Sequence, residues 1–159
     1  MLNQPDINAS MRNSLRANDL QNYTNAIDKY LSIQNDKGSK RRLNDFPGYD
    51  KLLSNVVTNR GGACPNAING INLTNINGRF ELKQGGSDSF DLSILKYEGI
   101  LTELMHDPSG NNYYTCIDKI HDYQLVLYSP IHENKEINIA LPVGYPLQTS
   151  DLPIGLSMP

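Results

Sequence analysis

Residues 9–34, ASMRNSLRANDLQNYTNAIDKYLSIQ, run without a glycine or a proline, and that stretch constrains the fold more than any other in the chain. It predicts one long helix. At about 100° per residue, Leu20, Tyr23, Ile27, Tyr30 and Leu31 share a stripe, the pattern of a helix laid on a sheet. Met11, Leu15, Ala26 and Ile33 fall on another face. A helix of this length spans roughly 39 Å at about 1.5 Å per residue, more than one small sheet covers. Two readings stand. Either the whole width faces the chain's own core, or one stripe meets the sheet and the other a neighbouring subunit.

Downstream, NDKGSKRRLNDFPGYD ends the helical pattern, with Gly38 as its expected stop and Pro47-Gly48 as a turn. A short helix is expected from residue 48 to about 59, where Tyr49, Leu52, Leu53, Val56 and Val57 recur at helical spacing. The stretch NRGGACPNAINGINLTNINGR is rich in turn residues. RFELK alternates as a strand does, and FDLSILKYEGILTELM reads equally as strand or short helix. NYYTCID, YQLVLYS and KEINIALP have the spacing of an antiparallel meander. Helix first and sheet afterwards predicts an α+β fold, a long N-terminal helix on a C-terminal antiparallel sheet, rather than βαβ units. The expected organisation is one globular domain over residues 1–142 (helix 9–34, loop 35–78, sheet region 79–142), then a Pro-rich extended tail, 143–159. A chain of 159 residues suits one such core.

With 19% charged residues and a formal net charge of −3, the composition is neither disordered nor shaped for a polyanion. Nine tyrosines against three phenylalanines, with no tryptophan, suit an outward-facing polar surface. Cys64 and Cys116, the 2 cysteines, lie too far apart for close-spaced zinc ligands. A disulfide between them is the favoured reading, with two buried thiols as the other; a loop of that length would stabilise by roughly 4 kcal/mol in the chain-entropy model. No apolar run is long enough to span a bilayer, and MLNQPDINAS lacks the segments of a signal peptide. Taken literally that describes a soluble cytosolic chain. A Met ahead of a polar run also fits a chain whose membrane-spanning leader lies outside it.

Chemistry-bearing patterns are sparse. His106, His121 and His132 sit in expected turns without convergent spacing, and Asp88, Asp91 and Asp118 match no calcium loop. Neither cysteine has the setting of a reactive thiolate. The glycine pairs at 61–62 and 85–86 lack the continuation of a phosphate loop. No metal, cofactor or catalytic residue is assigned, and the chain reads as a non-enzyme. Lys37, Lys40, Arg41 and Arg42 form the basic concentration KGSKRR. It complements the negative end of the preceding helix as a solvated loop, or else contacts DNA phosphates or an acidic surface. HDPSGNNYYT, residues 106–115, has a His-Asp pair that invites an active-site reading, but Asp107-Pro108-Ser109-Gly110 has ordinary turn composition feeding a strand.

The order of parts resembles the globular domain of type IV pilins and pseudopilins over about residues 9–142. The resemblance rests on ILTELMHDPSGNNYYTCIDKIHDYQLVLYS running into INIALP, where Leu101, Leu104, Asp107, Pro108, Gly110, Tyr113, Tyr114, Tyr123, Gln124 and Leu125 match the family's sheet segment. RANDLQNYTNAIDKYL is similar to the family's helix before its loop. The family's apolar N-terminal helical half, with a Phe start and an early Glu, is absent from this sequence, which would correspond to the soluble portion. The resemblance implies a major or minor structural subunit of a type IV pilus-like filament, with a pseudopilin of a secretion or competence system, or a non-polymerising surface binding module, as alternatives. Other pilin subunits and the assembly machinery would be its partners, and a missing N-terminal helix its membrane anchor before assembly. The face of Met11, Leu15, Ala26 and Ile33 would meet other subunits. The sheet, the basic loop and the tail, displayed extracellularly, would serve adhesion, motility or DNA uptake through contact with a host surface, glycan or DNA. Such display agrees with the disulfide reading.

Overall fold

The computed structural model describes residues 4–33, 38, 41–64, 80–86, 88–120, 122–131, 133 and 140–143. Gln34, Lys37, Lys40, His121, His132, the turns expected at 69–70 and 77–78, strand residues 135–139 and tail residues 144–159 lie outside the described residues.

The fold is α+β. Helix α1 spans Gln4–Ser32, 29 residues, so it begins before the expected Ala9. Pro5 does not prevent this, because first-turn N–H groups have no intrahelical partner to lose. α1 closes at Ser32, short of Gly38. The Ile33 N–H bonds the Tyr30 carbonyl at 3.2 Å, and the Ser32 hydroxyl donates to the Lys29 carbonyl at 2.7 Å, so two terminal carbonyls find donors. A 3-10 turn, Leu43–Asp45, leads to α2, Tyr49–Val57. Gly48, with φ 95°, makes the entry to α2; a Cβ there would lie 1.8 Å from the Ser89 carbonyl oxygen.

Strands β1 (Phe80–Leu82), β2 (Ser89–Phe90), β3 (Tyr114–Asp118), β4 (Gln124–Tyr128) and β5 (Ala140–Pro142) form one sheet in the order β2-β1-β3-β4-β5. Antiparallel pairing joins β1 to β3, β3 to β4 and β4 to β5, but β2 runs parallel to β1, which corrects the expectation of an all-antiparallel sheet. The cause is local. Gly85, Gly86 and Asp88 all take positive φ, and the Ser89 hydroxyl bonds the carbonyls of Gly85 and Gly86, folding the chain back so that two residues re-enter the edge in the same sense. The ambiguous segment after β2 resolves as a short helix, α3, Ser93–Tyr97.

α1 packs against β4 and β5, with α3 at its flank. On the side facing α1, Ile117, Leu125 and Leu127 join Leu20, Tyr23, Ile27, Tyr30 and Leu31 in the main core. An aromatic run closes one end of it, Tyr30 on Phe46 (5.0 Å), Phe46 on Phe90 (5.4 Å) and Phe90 on Tyr49 (6.2 Å). Alternation sends Tyr114, Cys116, Val126 and Tyr128 to the other face, into a smaller buried cluster. There Cys64 and Cys116 are disulfide-bonded with Cα atoms 5.1 Å apart. The pairing depends on a short parallel bridge beside β3: Ile117 N–H donates to Gly62 O (3.0 Å), and Cys64 N–H to Ile117 O (2.9 Å). Among the described residues, no helix is long and apolar enough to cross a membrane.

Candidate interaction face of the N-terminal helix

α1 reverses its polarity halfway along. From Leu20 onward the pattern is ordinary. Leu20, Tyr23, Ile27, Tyr30 and Leu31 are buried, while Asn18, Asn22, Asn25 and Lys29 face solvent. Over the first three turns the arrangement inverts. The inward side carries Ala9, Asn13 and Arg16, all buried, and the outward side carries Ile7, Met11 and Leu15, with 38%, 61% and 51% of their surface exposed. At about 100° per residue these three lie on one stripe, opposite the buried side chains.

A charged network replaces apolar packing beneath this half of the helix. Arg16 is fully buried, and its five N–H donors meet five acceptors. Nε reaches Asp107 Oδ2 at 2.6 Å, Nη2 reaches Asp107 Oδ1 at 3.5 Å and Ser109 Oγ at 2.9 Å, and Nη1 reaches Asn13 Oδ1 at 2.8 Å and Glu133 Oε2 at 2.6 Å. Arg12 takes Glu133 in a fork, Nη2 to Oε1 at 2.6 Å and Nε to Oε2 at 2.9 Å, while Asn13 Nδ2 donates to the Glu133 backbone carbonyl at 2.9 Å. Burial alone would lower the Arg16 pKa, but its hydrogen bonds to Asp107 and Glu133 outweigh that and raise it. Hydrogen bonds from Arg12, then Arg16, hold the Glu133 carboxyl down to about 2.

Residues 105–113 continue the clasp along α1. The Tyr23 hydroxyl donates to the Met105 carbonyl at 2.9 Å and accepts from the Met105 N–H at 2.6 Å. Tyr113 donates to Asp19 Oδ2 at 2.7 Å. Burial pushes the Tyr23 hydroxyl up to about 12 and raises the pKa of both Tyr113 and Asp19. The HDPSGNNYYT stretch is therefore a clasp on the helix. Asp107 does form the expected turn, with Gly110 N–H on its carbonyl (2.9 Å) and Ser109 N–H on its Oδ1 (2.7 Å). His106 is exposed beside it.

One residue assigned by sequence to the outer face lies elsewhere. Ala26 is only 5% exposed, because its small side chain sits at the edge of the buried arc, on the groove between α1 and residues 100–106. Ile33 is exposed, at 38%, just past the end of α1 at Ser32. Of the basic loop, Arg41 stacks on Tyr30 at 4.6 Å and bonds Glu98 at 3.0 Å, and Arg42 is exposed. The aspartates weighed for calcium hold local partners: Asp88 pairs with Lys51 (2.8 Å), Asp91 accepts from the N–H groups of Gly85 and Ser93, and Asp118 from that of Ile120.

Sequence reasoning missed Arg16, Asp107 and Glu133 as a unit. One signal was available, since Arg16 falls on the same helical arc as Leu20, Tyr23 and Ile27, and a guanidinium on a core-facing arc demands buried carboxylates. Which carboxylates could not be read from spacing. No family model, curated protein or solved structure matches this chain.

Proposed function

We propose that this chain is a structural subunit of a type IV pilus-like filament, polymerising through the outer face of α1 and displaying its sheet and loops. The observation that carries the reading is the polarity reversal. Hydrogen bonds and ion pairs hold the first three turns of α1 to the body of the subunit, which leaves Ile7, Met11 and Leu15 for another surface. A solitary protein gains more by burying such residues than by turning them to water, at about 25 cal/mol per Å². A contiguous apolar stripe on a rigid, exposed rod fits contact with further copies. In this reading the inter-subunit face is Ile7, Met11 and Leu15, with exposed Ile33 at the far end of α1 and without buried Ala26. An apolar segment ahead of Met1 would anchor the subunit in the inner membrane before assembly, and the disulfide would suit extracellular display.

The test is assembly in cells. Met11→Glu with Leu15→Glu alters two exposed side chains, so the subunit is expected to fold and accumulate while filaments are lost. Filaments of normal number and length from that double variant would remove the reading.

A further inference from the structure

Two hollows meet on the surface beside α3. One, of about 320 Å³, is floored by Leu82, Leu104 and Met105; the other, of about 230 Å³, is walled by Ser93 and Tyr97. Gln84 and Lys96 line both and join them into one depression. Tyr97 is 84% exposed, a large aromatic standing at the edge of the hollow.

The polar groups of the smaller hollow are not engaged by the fold. The side chains of Gln84, Ser93, Lys96 and Tyr97 make no hydrogen bond or ion pair with the described residues. The larger groove against α1, of about 700 Å³, is different, since Asp19 there is held by Tyr113, Asn25 accepts from Gln21 and Asn22 leans on Met105. Lys83 and Asn112, which line the larger hollow, are also committed, both to Glu81, at 3.1 Å and 3.2 Å. The smaller hollow thus offers one unpaired ammonium, one amide, one aliphatic hydroxyl, and an exposed ring with a phenolic hydroxyl, while Glu103, His106 and Asn112 line only the larger of the two.

Those groups select a ligand class. A purely apolar ligand would strip water from the amide and ammonium without replacing its hydrogen bonds. Nucleic acid would need several phosphate-binding cations, and one unpaired lysine on a chain of net charge −3 does not supply them. A pyranose presents C–H bonds, slightly positive, to the negative face of an aromatic ring, and its hydroxyls pair with amide and hydroxyl groups. A carboxylate on the sugar would meet Lys96. We propose that the paired hollows around Tyr97 bind a saccharide bearing a carboxylate, with Tyr97 as the stacking platform, Lys96 on the carboxylate, and Gln84 and Ser93 on ring hydroxyls.

The site deepens the display half of the proposed function and rests on that reading only for its biological purpose, because binding belongs to the single subunit. Sialyllactose and a hyaluronan tetrasaccharide, with lactose as neutral control, would be titrated into isotope-labelled protein and followed by amide shifts. The expected result is that at least one acidic saccharide shifts residues 82–84 and 93–97, while lactose binds about tenfold more weakly. Tyr97→Ala and Lys96→Gln, both surface changes, should each weaken binding about tenfold with the rest of the spectrum unchanged. Absence of shifts with both acidic sugars, equal binding of lactose, or indifference to both substitutions would overturn the proposal. Met11→Glu with Leu15→Glu should bind the acidic sugar normally, so a failure of the filament reading is distinguishable from a failure here.

Discussion

Arg16 on α1 and Asp107 in the turn before β3 form an ion pair at 2.6 Å, with the guanidinium fully buried and the carboxylate nearly so. The pair joins residues far apart in sequence and fixes the first turns of α1 against the rest of the fold. Its strength lies in the penalty for breaking it, because one charge left alone in the interior has neither water nor partner.

Asp107→Ala should therefore destabilise by about 3–5 kcal/mol, seen as a lower urea midpoint with an unchanged slope. Arg16→Met combined with Asp107→Leu, which removes both charges, should cost much less than Asp107→Ala alone. A loss below about 1 kcal/mol for Asp107→Ala would show that water reaches the pair.

Glu133 carries the acid sensitivity. Its carboxyl is held at about 2 by Arg12 and Arg16, below an ordinary value of 4.5, so the folded state binds its proton less readily than the unfolded chain. The stability it contributes is complete above the ordinary value and falls away as pH drops from about 4.5 to about 2. Stability measured across that window should decline less steeply in Glu133→Gln than in the parent. Part of the effect should fade in high salt, since Glu133 and Arg12 are partly exposed.

Removing the disulfide by Cys64→Ser with Cys116→Ser should cost roughly 4 kcal/mol in the chain-entropy model. Chemical denaturation of this variant against the oxidised parent measures it directly. Because Cys116 is fully buried, mild reductant should leave the folded parent's bond intact at concentrations that cleave it in urea.

Gly48→Ala should destabilise strongly, while Gly110→Ala should do so only mildly. Both glycines take positive φ, so both substitutions carry backbone strain of about 1–3 kcal/mol. At Gly48 the new methyl would also strike the Ser89 carbonyl at 1.8 Å, whereas at Gly110 nothing lies within 4 Å. Thermal melts of the two variants give the comparison.

Much of the fold is written in local pattern. The stripe Leu20, Tyr23, Ile27, Tyr30 and Leu31 places α1 on the sheet, the spacing of Tyr49, Leu52, Leu53 and Val56 marks α2, and alternation in YTCID and QLVLY marks β3 and β4. The parallel edge escaped because β2 has two residues, too few for any period, and depends on positive φ at Gly85, Gly86 and Asp88. Ala26 was misplaced because periodicity assigns an angle on the helix, not the reach of a neighbouring loop. The network of Arg16, Asp107 and Glu133 escaped for a different reason. Its members come from three distant parts of the chain, and only tertiary structure brings them together.

The central claim is that the outer turns of α1 meet other copies of the chain, and photo-crosslinking in assembled filaments tests it most directly. A photoreactive residue would be placed singly at Met11, Leu15, Asn44 and Thr58 in the full-length protein and irradiated in cells. The account predicts covalent dimers and higher ladders of this chain from positions 11 and 15, and far weaker ones from 44 and 58. Monomers alone from positions 11 and 15, in cells that display filaments containing the chain, would contradict it.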